Sequence, residues 1–209
     1  MPGSDDHAYV SRGGLKLAAA LEAFGVSPAG WVCADLGSNV GGFVDCLLRH
    51  GAERVYALDT GYGVLAYRLR RDPRVVVRER TNALHAVLPE PVDLVTIDVG
   101  WTPQEYILPA AVRMLRGSGA GAGDGGRSSG RWIVALIKPH YEAQAGRRAH
   151  ISGRQQGGVL DPEEARLAFE GACARIRGLG LSVVRTIQSP IRGRKGNVEY
   201  LALLSPATL

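Results

Sequence analysis

Trp31-Val-Cys-Ala-Asp-Leu-Gly-Ser-Asn-Val-Gly-Gly-Phe43 is the stretch that decides the fold. Its first six residues are an apolar run of strand length. They enter a loop with glycine at 37, 41 and 42, and residues 43–50 then carry a helical pattern. Strand, glycine loop and helix open an α/β unit, and the alternation extends to both sides. Upstream, residues 15–24 space their apolar side chains as a helix that Gly25 ends. Downstream come a strand at 54–59, a helix at 64–71, and strands at 74–78 and 92–98. A helix at 104–115 and a fifth strand at 132–137 follow. Residues 162–177 form a helix, with Asp161 as N-cap and proline in the first helical position. The last two strands, 181–188 and 198–204, have no helix between them and pair as a hairpin.

Such alternation predicts an α/β fold with helices on both faces of a mostly parallel, seven-stranded, Rossmann-like sheet and one antiparallel strand near the C-terminus. A chain of 209 residues with 45% hydrophobic content fits one domain. That domain is expected over 9–209, after a polar, disordered start at 1–8. Residues 117–130 are too rich in glycine to pack and read as a flexible loop, and 141–158, polar and basic without clear periodicity, as a mobile substrate loop. No run of eighteen apolar residues and no secretory layout occurs, so a cytoplasmic protein without membrane association is expected. Cys33, Cys46 and Cys173 form no CxxC pair or Cys/His cluster, so neither a metal site nor a disulfide framework is expected.

The net charge of +5 points to an acidic partner, of which nucleic acid is the commonest. Within that charge there are 22 Arg and only three Lys, at 16, 138 and 195. In so arginine-rich a chain, a lysine either survives by chance or marks a site that needs a compact amine able to shed its proton, which a guanidinium cannot do.

In an open α/β sheet, ligands bind beyond the carboxyl ends of the strands, where strand order reverses, and the loop from Asp35 to Phe43 lies there. The loop lacks the GxGxxG of dinucleotide enzymes and the GK[ST] of a phosphate loop, which disfavours phosphate cradling. Gly37, Gly41 and Gly42 let backbone approach a ligand. Asp59 ends the second strand, where a carboxylate can take both hydroxyls of a ribose, and Asn82 is placed to meet an adenine edge. A nucleoside-bearing cofactor without a diphosphate fits these features, and S-adenosylmethionine is such a cofactor. Asp98 and Lys138 each end a strand, so both should point into the crevice beside it. Transfer of a sulfonium methyl to a ribose hydroxyl needs a base, because the hydroxyl is a poor acid. Lys138 is the candidate base, with Lys16 as a neighbouring cation and Asp98 and Glu199 orienting the amines. Lys195, in Arg192-Gly-Arg-Lys-Gly-Asn197, reads as a phosphate contact or a solvated turn.

Several ordered motifs closely resemble the haemolysin A (TlyA) family, whose catalytic domain is similar to the FtsJ-type RNA 2′-O-methyltransferases. They are Tyr9-Val-Ser-Arg-Gly-Gly-Leu-Lys16, Asp35-Leu-Gly37, Gly41-Gly-Phe43, Glu79-Arg-Thr-Asn82, Ile97-Asp98, Lys138-Pro139, Ser189-Pro-Ile191 and Lys195-Gly-Asn-Val-Glu199. The resemblance runs from Tyr9 to about Leu204. It implies a class I S-adenosylmethionine-dependent methyltransferase fold and a catalytic Lys-Asp-Lys-Glu set at Lys16, Asp98, Lys138 and Glu199. It further implies contacts to S-adenosyl-L-methionine at Gly37, Ser38, Gly41, Gly42, Phe43, Asp59 and Asn82; Asp35 and Asp98 are further candidate cofactor contacts, and Arg12, Arg192, Arg194 and Lys195 are candidate RNA contacts. The implied substrate is a cytidine ribose of ribosomal RNA, free or in a ribosomal particle. Three features depart from the family pattern. The S4-type RNA-binding domain usual at the N-terminus is not expected here, Val99-Gly-Trp-Thr-Pro103 replaces a Ser-Phe-Ile type stretch, and the 117–130 segment is longer.

Three other readings compete. A small-molecule O-methyltransferase is disfavoured by the basic segments 145–155 and 191–196, and methylation without RNA would favour it. A non-catalytic module that binds cofactor or RNA is disfavoured by the complete set of four groups. A membrane-active cytolysin would need an amphipathic or spanning segment, and none is evident.

Overall fold

A computed structural model of the chain describes residues 8–100, 102–115, 131–147 and 159–206. The glycine-rich segment 117–130, residues 148–158 of the expected substrate loop and the start of the chain up to residue 7 lie outside the described residues. Thirteen elements follow in order: α1 (Gly13–Phe24), β1 (Val32–Leu36), α2 (Gly42–Arg49), β2 (Arg54–Leu58), α3 (Tyr67–Arg70), β3 (Val75–Arg78), β4 (Leu94–Ile97), α4 (Gln104–Met114), β5 (Trp132–Ile137), α5 (Pro139–Arg147), α6 (Pro162–Gly178), β6 (Leu181–Gln188) and β7 (Tyr200–Pro206).

The strands form one seven-stranded sheet in the order β3-β2-β1-β4-β5-β7-β6. Neighbours from β3 through β5 run parallel, and β7 is antiparallel to both β5 and β6. The expected hairpin therefore inserts its second strand between β5 and its first strand. Because successive strand residues face opposite sides, each strand feeds two cores. Cys33, Val55 and Ala57 pack with Leu17 and Leu21 of α1 and Leu47 of α2. Ala34, Tyr56 and Leu58 pack on the other face with Ile107 and Leu108 of α4 and Ile176 of α6. A parallel sheet covered on both sides needs strands that are apolar throughout, and every residue of β1 and β4 is buried apart from solvent.

Two local expectations are corrected. The helix at 64–71 shortens to the single turn of α3, because the Glu79 carboxylate takes the backbone N–H groups of Gly63, Val64 and Leu65 and holds that segment out of helical register. The stretch read as a loop from residue 141 is helical as α5 up to Arg147. Its lack of apolar periodicity has a physical cause: the inward group is Glu142, buried, with Oε1 accepting from Gln104 N at 3.0 Å and Oε2 paired with Arg175 at 2.5 Å. A buried ion pair with a further hydrogen bond substitutes for the apolar stripe that pattern reading looks for. The start of α6 is as expected, with the Asp161 side chain accepting from Glu163 N and Glu164 N while Glu164 reaches back to Asp161 N.

Candidate active site

After β1 the chain runs outward through β2 and β3 on one side, then returns to β4 and β5 on the other. Strand order reverses between β1 and β4, and their carboxyl ends open a crevice there. Gly37 sits at its floor with φ +89°, and a Cβ added to it would lie 2.8 Å from the Asp98 carbonyl oxygen. A side chain at this point would wedge the two strand ends apart.

The crevice is a cavity of about 460 Å³, within the range of small-molecule sites. Lys16, Asp98, Lys138 and Glu199, distributed over 184 positions of sequence, all line it. They form two ion pairs. Lys138 Nζ meets Asp98 Oδ1 at 2.7 Å and donates to the Val99 carbonyl at 3.1 Å. Lys16 Nζ pairs with Glu199 Oε2. Asp98 and Lys138 directly follow β4 and β5, while Glu199 directly precedes the antiparallel β7, so its side chain arrives at the same end of the sheet. Lys16 comes from the first turns of α1, a helix packed on α2.

That packing explains the N-terminal motif. Asp45 on α2 is buried, and its carboxylate accepts from Val10 N at 2.9 Å while pairing with Arg68 at 2.6 Å and Arg49 at 3.2 Å. Added Cβ atoms at Gly14 and Gly42 would fall 2.2 Å from the Tyr9 ring and 2.3 Å from Ser11 Oγ. Small residues thus let the segment before α1 lie flat on the cofactor-type loop and carry Lys16 to the cavity.

Asp35 Oδ1 accepts from Thr96 Oγ1 at 2.7 Å, and its Oδ2 is buried with no hydrogen-bond partner among the described residues. Burial, reinforced by Asp98 and Asp59 and opposed by Thr96, pushes its pKa up to about 8. Burial thus favours the protonated form of this carboxyl, which sits at the cavity wall. Gly37 N and Ser38 N both donate to the Leu58 carbonyl, Asn39 N to Asp59 Oδ2 and Gly41 N to the Ser38 carbonyl. These four N–H groups are therefore not free to hold a diphosphate.

Of the expected cofactor contacts, Asp35, Gly37, Ser38, Gly42, Phe43 and Asp98 line the cavity, while Gly41, Asp59 and Asn82 stand outside its wall. Gly41, φ +104°, is buried, and a Cβ there would lie 2.3 Å from Leu69. A side chain at any of Gly37, Gly41 or Gly42 would thus collide with protein. Asp59 braces the loop through Asn39 N and Gly61 N at 2.8 and 2.7 Å, and a carboxylate has capacity for two further hydrogen bonds. Asn82 Oδ1 accepts from Leu84 N at 3.0 Å, turning its own loop. A nucleoside-bearing cofactor fits this cavity on the evidence of the unpaired Asp35 oxygen beside its floor.

Arg12, Arg194 and Lys195 line the cavity mouth. Arg192 does not: its Nη1 donates to the Gly196 carbonyl at 2.9 Å and ties the loop before β7. Sequence reading missed Gly193, His140 and Asn197 in the wall. Asn197 is buried, with Oδ1 accepting from Leu160 N at 3.0 Å, and nothing in its local pattern signalled that distant bond. His140 stands two residues beyond Lys138, which was a usable signal.

The FtsJ-like methyltransferase family model matches residues 9–205. The chain belongs to that family. The 16S/23S rRNA (cytidine-2′-O)-methyltransferase TlyA of Mycobacterium tuberculosis (strain ATCC 25618 / H37Rv) is 40% identical over 208 residues, covering 97% of this chain and 70% of that protein. A Lactococcus lactis structure described as a hemolysin superposes with a TM-score of 0.79 at 38% identity, covering 96% of this chain and 89% of that one. The N-methyltransferase NodS of Bradyrhizobium japonicum, solved with S-adenosyl-L-homocysteine, shares the fold at a TM-score of 0.60 and 17% identity, covering 98% and 90%. The fold of this FtsJ-like chain is thus the Rossmann-like class I fold of S-adenosylmethionine-dependent methyltransferases. Among the described residues, no helix is long and apolar enough to cross a membrane, and no group of three or more His, Cys, Asp and Glu could hold a metal ion.

Proposed function

We propose that the protein methylates the 2′-hydroxyl of a ribose, that of a cytidine, in ribosomal RNA, with S-adenosyl-L-methionine as donor. The observation that carries this reading is the convergence of two lysine–carboxylate pairs from four separate elements on one cavity at the switch point of the sheet. When bound, S-adenosylmethionine supplies a methyl group on a sulfonium, an electrophile that needs a nucleophile in line with its carbon–sulfur bond. Lys138, after its ammonium has released a proton to solvent, takes the proton of the ribose hydroxyl onto Nζ. Asp98 and the Val99 carbonyl fix the direction of that amine. Lys16, held by Glu199, places positive charge beside the developing alkoxide and orients it. Asp35, its protonated form favoured by burial at the cavity wall, binds a polar group of the donor. Arg12, Arg194 and Lys195 ring the mouth and suit a polyanion, since cationic side chains there meet phosphates that position a nucleic acid without reading its sequence. The family membership and the relative's stated activity support RNA over a small acceptor.

The test is transfer of labelled methyl from S-adenosylmethionine to ribosomal RNA and ribosomal particles, followed by alkaline hydrolysis. Label in a hydrolysis-resistant dinucleotide is expected. Label in a base, or on a small acceptor with none on RNA, refutes the reading.

A further inference from the structure

The cavity wall contains a polar atom that neither ion pair accounts for. His140 Nδ1 is buried and has no hydrogen-bond partner among the described residues. Its ring packs tilted against Tyr141, with centroids 4.1 Å apart at 46°, and both side chains line the cavity alongside Lys138 and Lys195. A buried imidazole nitrogen without a partner is unfavourable, and a turn of the ring that presents it to a ligand in the cavity removes the penalty.

Its surroundings indicate what that ligand is. Burial first, then the charges of Lys138 and Lys195, hold the imidazole pKa below its usual value, so the ring is neutral at pH 7, with one donor and one acceptor. Both lysines therefore lie near the ring, in the same cavity wall. On the reading above, Lys138 receives the proton of the reacting hydroxyl and Lys195 meets a phosphate. A nucleotide whose hydroxyl is held at Lys138 thus lies in the same cavity as this ring, which stands two residues along the chain. A neutral ring suits a hydrogen bond to a sugar or base edge. We propose that His140 is a substrate-positioning residue, hydrogen-bonding through its imidazole to the nucleotide whose hydroxyl is methylated, with Tyr141 backing the ring. This inference rests on the ribose-methylation reading.

The test compares the full chain with His140→Phe, which keeps a flat ring and removes both nitrogens, and with His140→Gln, which keeps one donor and one acceptor. Initial rates are measured against ribosomal RNA carrying the position that the unaltered protein labels, and affinity for S-adenosyl-L-homocysteine is measured by calorimetry. His140→Phe is expected to raise KM for RNA about tenfold, as for loss of one buried hydrogen bond, with kcat and S-adenosyl-L-homocysteine affinity within about twofold. His140→Gln is expected to recover most of that loss. An unchanged KM in His140→Phe overturns the inference, as does a fall in kcat at constant KM or a Gln variant as impaired as the Phe variant. If the unaltered protein labels no RNA, the ribose-methylation reading itself falls. If it labels RNA and His140→Phe matches it, only the role of His140 falls.

Discussion

Gly193→Ala separates the integrity of the fold from the geometry of the catalytic groups. A Cβ at residue 193 would stand 2.5 Å from Glu199 Oε1 and 3.1 Å from its Cδ, closer than the van der Waals contact of about 3.4 Å or more between carbon and oxygen. Gly193 is outside the left-handed region, so alanine meets no backbone penalty there. The atom it strikes is the end of a flexible side chain, which can swing aside. Glu199 is only 4% exposed, however, and its other oxygen holds Lys16, so any swing of roughly an ångström drags that pair out of place. Misplacement of about 1 Å costs on the order of a hundredfold in rate, or about 2.7 kcal/mol of transition-state stabilisation. Gly193→Ala should therefore melt within a few degrees of the unaltered protein, bind S-adenosyl-L-homocysteine normally and lose between about tenfold and a hundredfold in kcat for methyl transfer. Gly178→Ala, where an added Cβ meets nothing within 4 Å, is the control and should be neutral in both respects. Full activity in Gly193→Ala would refute the argument that Glu199 must be held against Lys16.

Lys138→Ala should abolish transfer while leaving cofactor affinity nearly unchanged by calorimetry; equal loss of both would contradict the assigned role as base. Asp35→Asn should flatten the pH dependence of stability. With the folded-state pKa raised to about 8 from 3.8, the native state keeps a proton that the unfolded chain has released, so stability falls as pH rises across that window, by up to about 1.4 kcal/mol per pH unit. Denaturant titrations from pH 5 to 9 read the difference, and a slope unchanged in the variant would sink it. Asp45→Asn weakens the anchor of Val10 and the pairs with Arg49 and Arg68, and should cost about 1–3 kcal/mol. It should also speed proteolytic cutting before α1; cleavage at the unaltered rate would show that the segment is held by other contacts. Gly37→Ala, at φ +89° and 2.8 Å from a backbone oxygen that cannot swing away, should lower melting temperature as well as activity, unlike Gly193→Ala.

The layer order and the position of the crevice were legible along the chain because they depend on local pattern. β1, β4 and β5 are short apolar runs whose lengths and flanking residues say strand, and the residues just beyond them, Gly37, Asp98 and Lys138, fall at the carboxyl edge by connectivity alone. The scarcity of lysine against 22 arginines singled out Lys16 and Lys138 on chemical grounds. Local pattern failed where a distant partner overrules it: Glu79 unwinds the start of α3, and Glu142, joined to Gln104 and Arg175, makes a helix of a stretch with no apolar stripe.

By itself the sequence determined which residue types carry the chemistry and which end of the sheet they occupy, since periodicity and strand connectivity are properties of neighbours in the chain. Only the tertiary structure decided the pairing, Lys138 with Asp98 and Lys16 with Glu199, the contact of Gly193 with Glu199, and the unpaired nitrogen of His140 in the same wall. The physical reason is that hydrogen bonds and close contacts depend on distance in space, to within a fraction of an ångström. Spacing along a polymer does not encode that distance between segments as far apart as residues 16 and 199.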